Sequence, residues 1–330
     1  MKLGKIRYGL GSGILWGLDT VVLGIALSMS PYIGTVEAIA FAAIASSALH
    51  DIFCAIWLFI YMAIRGRLKD TWAALKTKSG KVVILGALLG GPVGMTGYVI
   101  AINNIGAGPT AIISSFYPAV GTFLAFIILK ERMSWKQLVA LVCALGGIIV
   151  MSYLSTGDAA SEGNAVLGLI GAIACVIGWG SEAVICGWGM KDDAVDNETA
   201  LQIRETTSGL VYALIVLPLF GAWAFTAQAL PSLATGVVAL AALFGTTSYL
   251  FYYKSISSSI GAAKSMALNI SYSAWAVAFA FILQGTVPSV ATVVCCFVIL
   301  AGTVLAASDW NELFSRGKTN KTTDEDLCRD

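Results

Sequence analysis

Gly178-Trp179-Gly180-Ser181-Glu182 lies inside an apolar stretch running from about Ala165 to Met190. A stretch of that length crosses a bilayer as a helix, which needs about 20 mainly apolar residues. Glu182 is then an ionisable side chain at membrane depth. That placement costs roughly 2.5–3.5 kcal/mol on insertion scales and demands a partner or a wet cavity. A spacing of three puts Trp179 and Glu182 on one helix face. A ring face beside a fixed negative charge suits a bulky, poorly hydrated organic cation. The plainer reading of the same residues is a structural polar contact between helices.

The rest of the chain agrees with a membrane setting. Hydrophobic residues make up 58% of 330 positions and charged ones only 12%, against the usual quarter in a soluble domain. A net charge of +1 points to neither nucleic acid nor an acidic protein partner. The cysteines, Cys54, Cys143, Cys175, Cys186, Cys295, Cys296 and Cys328, have no metal-ligand spacing, and six fall in apolar segments. They read as packing residues, with no metal or cofactor site. Lys2, Lys5 and Arg7 precede an apolar run that contains Asp19 and is too long for a signal peptide, so a retained first helix is expected.

Ten segments are long and apolar enough to span: about 8–29, 38–64, 82–103, 108–129, 136–154, 165–189, 199–221, 236–255, 260–283 and 288–307. The connections near 103–108, 255–260 and 284–288 are short enough to force antiparallel neighbours. Placing both termini in the cytoplasm puts almost every Lys and Arg on the inner side and none in an outer loop. Arg204 and Lys264 fall just inside helices that start from that side. Between 65 and 81, Leu68, Trp72 and Leu75 recur at helical spacing among lysines, either as a helix along the inner leaflet or as a solvated linker.

The two halves resemble each other. Ile14-Leu15-Trp16-Gly17-Leu18-Asp19 aligns with Ile177-Gly178-Trp179-Gly180-Ser181-Glu182, Tyr98 to Ile105 falls on Tyr249 to Ile256, and His50-Asp51 falls on Arg204-Glu205. Five helices per half make the repeats opposite in orientation, and inverted repeats place a substrate site near the midplane at their interface. The expected architecture is an all-α integral membrane protein: a first repeat over 1–155, a second over 163–307, and a charged tail over 308–330.

Three groups of residues gather at that expected site. The first is the tryptophan–acid pair of each half, Trp16/Asp19 and Trp179/Glu182. The second is aromatic: Tyr249, Tyr252 and Tyr253 share a face, as do Asn269, Tyr272 and Trp275, although aromatic stripes in membrane helices also serve as packing. The third is His50-Asp51 with Arg204-Glu205, read either as proton relay or gate, or as structural ion pairs with Arg204 reaching the cytoplasmic interface. Gly90-Gly91-Pro92-Val93-Gly94-Met95 breaks the third helix, and Pro118 kinks the fourth. No nucleophile elbow, phosphate loop or metal constellation is present, so no catalytic role and no enzyme is expected.

Ten helices in two repeats, with Leu129-Lys130-Glu131-Arg132-Met133-Ser134 closing the fourth, resemble the EamA branch of the drug/metabolite transporter superfamily. Ala48-Leu49-His50-Asp51, Gly91-Pro92-Val93-Gly94-Met95, Trp179-Gly180-Ser181-Glu182, Ile203-Arg204 and Asn269-Ile270-Ser271-Tyr272 are similar to LicB-type bacterial choline transporters. That resemblance implies proton-coupled uptake of choline or a related quaternary ammonium compound across the plasma membrane. It carries an aromatic-and-acid cage over to Trp16, Trp179, Glu182, Tyr272 and Trp275. Asp19 departs from the family, which has a small residue there. The alternative is an exporter of amino acids or amphiphilic cations, as in other branches of the superfamily. The expected partners are the small cation, protons or the membrane potential, and the bilayer. A bundle of this size buries its own polar groups, which favours a monomer.

Overall fold

The computed structural model describes residues 3–155, 163–308 and 310. The linker at 156–162 and the tail beyond Trp310 lie outside the described residues. The elements are α1 (Leu3–Leu27), α2 (Val36–Ile64), α3 (Leu68–Ala74), α4 (Lys78–Ile105), α5 (Pro109–Leu129), α6 (Trp135–Ser155), α7 (Ala165–Gly189), α8 (197–219), α9 (Trp223–Ala229), α10 (Leu233–Ile256), α11 (Gly261–Gln284) and α12 (Val290–Ala307). No strand forms among the described residues.

Short polar side chains set where the helices begin, because the first-turn N–H groups have no partner within the helix. Thr35 accepts from the Ala38 N–H, Thr77 from Gly80, Asn164 from Val166 and Leu167, Asp196 from Thr199, Ser232 from Thr235 and Ser289 from Thr292. The short connections foreseen between neighbouring helices turn at Gly106 (φ 85°) and Gly261 (φ 79°), where a side chain would strain the backbone.

Nine helices among the described residues are long and apolar enough to span: α1 from Ile6, α2, α4, α5, α6, α7, α10, α11 and α12. The expected tenth, α8, is helical throughout, yet Glu198, Arg204 and Glu205 make it too polar to qualify. It carries those charges because it packs on α2, α4 and α10, so Arg204, Glu205 and Ser208 are buried in protein and not in lipid. Outward faces are apolar instead: Ile39, Phe123, Val142, Ile170, Leu214, Ile282 and Phe297 are exposed, as a bilayer solvent requires.

Four helices are interrupted: α4, α5, α11 and, by a π-helical turn over Tyr212–Val216, α8. A π-helical turn over Leu89–Met95, containing Pro92, widens α4 at the glycine-rich run. Proline offers no N–H to the helical ladder, and the wider turn accommodates its ring. In α5 the helix breaks at Ser115 and Phe116 and restarts at Tyr117, with Pro118 in the first turn of the new segment. In α11 it breaks at Ile270 and Ser271 and restarts at Tyr272. The breaks in α5 and α11 each leave a tyrosine as the first residue of the new segment.

Packing crosses between the halves. α1 lies on α10 and α11, while α7 lies on α4 and α5. The glycines of the opening motif explain the second contact: a Cβ at Gly178 would run into the Leu89 carbonyl and one at Gly180 into that of Tyr117. Their absence lets the backbones close up and turns Trp179 and Glu182 inward.

One end of the bundle is latched. Glu131, just past α5, accepts from the Ala262 and Ala263 N–H groups at 2.9 Å each, capping the start of α11 with a carboxylate from the other half. Ile6 and Leu268 pack nearby, with Leu10 and Ile260 beside them. At the opposite end Gln284-Gly285 closes α11, and no carboxylate among the described residues caps α5 in the same way.

The stretch foreseen as amphipathic is helical over Leu68–Ala74, with Leu68 and Leu75 against the core and Trp72 exposed. Arg67 anchors it, pairing with Asp70 at 2.9 Å, Asp196 at 2.9 Å and Glu198 at the start of α8.

Candidate functional site

A cavity of about 310 Å³ lies where α1, α2, α4, α5, α7, α8, α10 and α11 meet. Of the fourteen residues gathered at the expected site from the sequence, eleven line it: Trp16, Asp19, His50, Asp51, Trp179, Glu182, Arg204, Tyr249, Tyr252, Asn269 and Tyr272. It extends along α1 through Thr20, Leu23, Gly24 and Leu27, away from the Glu131 latch.

Trp275 and Glu205 are not in the lining. Trp275 sits one turn beyond Tyr272 and packs against α1 at Gly17, where a Cβ would lie 2.8 Å from its own. Its indole N–H is buried and meets no acceptor among the described residues. Glu205 is fully buried behind Arg204, with one carboxylate oxygen on that guanidinium and the other unpartnered among the described residues.

The walls are aromatic. Trp16 meets Tyr249 edge to face at 4.9 Å between ring centroids, and Trp179 meets Tyr98 at 5.3 Å and Tyr117 at 5.9 Å. Tyr117 donates to the Asn269 amide oxygen at 3.2 Å, and the Asn269 amide donates to Ser12 at 3.2 Å. Tyr98 and Tyr117 were not singled out for the site. The signal for Tyr98 lay in the repeat, where it falls on Tyr249. Tyr117 follows a helix break that Pro118 marks only loosely.

The floor is a buried ion network. Arg204 donates through Nε to Glu182 Oε1 at 2.9 Å and through Nη1 to Glu205 at 2.9 Å. It also donates through Nη2 to the Tyr249 hydroxyl at 3.0 Å, lies over that ring, and stands 3.8 Å from Asp51. Arg204 is only 4% exposed, so the alternative that sends it to the cytoplasmic interface does not hold: Glu182 and Glu205 keep it inside. Glu182, expected to need a partner or a wet cavity, has both: it lines the cavity, and Tyr253 donates to the same Oε1 at 3.0 Å. Tyr253 turns away from the cavity that Tyr249 and Tyr252 line.

The same arrangement stands at the other side of the floor. His50 Nε2 meets Asp19 Oδ1 at 3.0 Å, and its Nδ1 stands 3.6 Å from both Asp51 Oδ1 and the Cys54 sulfur. Ser208 donates to Asp51 Oδ2. An acid on the first helix of each half is thus paired with a base on that half's second helix, arginine in one case and histidine in the other. Glycines make room for both pairs: a Cβ at Gly90 would collide with the Glu182 carboxylate, and one at Gly245 would lie 3.1 Å from His50 and 3.3 Å from Asp19. Four carboxylates, those of Asp19, Asp51, Glu182 and Glu205, share this floor with one permanent cation and one imidazole. Carboxyl groups thus outnumber basic ones here.

Residues 5–153 match the EamA-like transporter family. Protein LicB of Haemophilus influenzae is 29% identical over 223 residues, covering 67% of this chain and 73% of that protein. A crystal structure 17% identical in sequence superposes on 97% of this chain and 100% of its own with a TM-score of 0.67, a likeness of fold alone. The first half of the chain is thus similar in sequence to EamA-like transporters, and nine helices among the described residues are long and apolar enough to cross a membrane.

Proposed function

We propose that the chain is a secondary transporter that imports choline or a related quaternary ammonium compound by alternating access, coupled to protons. The carrying observation is one cavity that combines ring faces from Trp16, Trp179, Tyr98, Tyr249 and Tyr272 with a surplus of carboxylates. A trimethylammonium group has no hydrogen to donate, so ring faces replace its weak hydration better than hydrogen-bond acceptors do. The excess negative charge rejects anions and supplies the attraction. A cavity of this size suits a small ligand rather than a drug-sized one.

The two halves act as inverted repeats, with the cavity at their interface and both termini in the cytoplasm of a cell whose plasma membrane holds the protein. The crossed packing of α1 on α10 and of α7 on α4 supports that reading. An inside-negative potential then favours cation uptake by roughly 2.3 kcal/mol per charge per 100 mV. A thermal-shift screen of purified protein against choline, betaine, carnitine, polyamines and amino acids tests the substrate class, because a ligand that binds the folded form raises its melting temperature. Stabilisation by choline-like compounds supports the proposal. Stabilisation by amino acids alone overturns it.

A further inference from the structure

We infer that Asp19, not Glu182, is the counter-charge that a cationic substrate meets, and that one proton leaves His50 as the substrate binds. This rests on the cation reading above and assigns the group whose charge the substrate replaces.

The two acid–base pairs differ in one respect. Arg204 keeps its proton at any pH a protein experiences, so Glu182 stays neutralised by a partner that cannot let go, with Tyr253 on the same oxygen. His50, unlike Arg204, has a neutral form, and when the ring is neutral Asp19 stands as an uncompensated carboxylate. Asp19 is reached from the cavity, and Trp16, one turn earlier on α1, offers a ring to the same space.

The ring of His50 has partners in both protonation states without moving. As an imidazolium it donates from Nε2 to Asp19 Oδ1 and directs Nδ1–H toward Asp51 Oδ1. As a neutral ring it still donates from Nε2 to Asp19, while Nδ1 accepts from the Cys54 thiol at 3.6 Å. Loss of the proton changes the charge and leaves the geometry in place. The groups around it are Asp19 from α1, Asp51 and Cys54 from α2, and Arg204, Glu205 and Tyr212 from α8. From α10, Gly245 lies against the His50 ring, and the Ala242 carbonyl accepts from Cys54.

The step balances. The Nδ1–H bond of the imidazolium breaks, the proton passes to water in the cavity, and the ammonium takes up its place opposite the Asp19 carboxylate. One positive charge leaves as one arrives, so the burial cost of the network stays constant. One proton therefore leaves the network for each cation that enters it.

Purified full-length protein titrated with choline and with tetramethylammonium in weakly buffered indicator solution tests this. Wild type is expected to release about one proton per cation bound and to lose affinity about tenfold per pH unit on the acid side. His50→Arg, which copies the other half's permanent pair, is expected to melt like wild type and bind neither probe at any pH. His50→Gln is expected to release no proton and to bind more tightly than wild type in acid, with no slope. Asp19→Asn is expected to lose binding while staying folded, which keeps the test decisive if the arginine variant misfolds. Cation binding without proton release, a slope that survives His50→Gln, or wild-type binding by His50→Arg overturns the inference and leaves the cation reading standing. Absence of binding by wild type at every pH overturns both.

Discussion

Trp16 and Tyr249 meet edge to face across the two halves of the chain, with ring centroids 4.9 Å apart. Trp179 and Tyr98 make the reciprocal contact at 5.3 Å. Each first-helix tryptophan is therefore seated on the third helix of the opposite half, and the cavity walls are built from pairs that neither half possesses alone. Trp16→Ala removes one such wall. It is expected to weaken choline binding about five- to thirtyfold, equivalent to about 1–2 kcal/mol, with Trp16→Phe recovering part of the loss in a titration.

Arg204 is the only permanent cation on the cavity floor among the described residues, and three carboxylates lean on it. Arg204→Gln leaves Glu182 and Glu205 buried and unpaired, a change worth about 3–5 kcal/mol. The expected result is a large drop in melting temperature in detergent. Glu182→Gln added to that variant should restore part of it, since the second change removes one of the stranded charges.

Gly90 touches the Glu182 carboxylate where any side chain would collide. Gly90→Ala is expected to cost about 1–3 kcal/mol through overpacking and to reduce transport in vesicles. Gly236→Ala is the contrast: nothing lies within 4 Å of the new methyl group, and a helical glycine replaced by alanine gains about 0.5–1 kcal/mol. The first should lower the melting temperature and the second raise it.

At the α3–α8 junction, burial pushes the Asp196 carboxyl up, but the Thr199 N–H and the Arg67 guanidinium outweigh it and hold it below the usual carboxylate range. A group whose folded pKa is depressed stabilises the fold above its unfolded pKa, and that contribution fades as pH falls through the folded value. Acidification below about pH 4 is therefore expected to lower the melting temperature of wild type more steeply than that of Asp196→Asn. Hydrogen exchange at α3 reports the same loss locally.

The spans were legible because apolar length alone defines a membrane helix; α7 starts and ends where the sequence places it, and α12 differs by two residues at its start. α8 was legible as a segment, yet its charges exceed what a lipid-facing span tolerates, so only its packing reveals why it is helical. The cavity residues were legible in pairs, through the repeat. Which base holds which acid was not: Asp19 and His50 lie 31 positions apart, and a pairing at that distance is set by how helices cross. Trp275 shows the limit of helical spacing: three residues beyond Tyr272 on the same segment, it packs against Gly17 of α1 and not into the cavity.

Glu131 staples α11 to α5 at one end only. Parting α5 from α11 there means peeling two backbone amides from one carboxylate, while no carboxylate among the described residues holds the opposite end in the same way. Glu131→Gln therefore loosens one end of the bundle and leaves the other untouched.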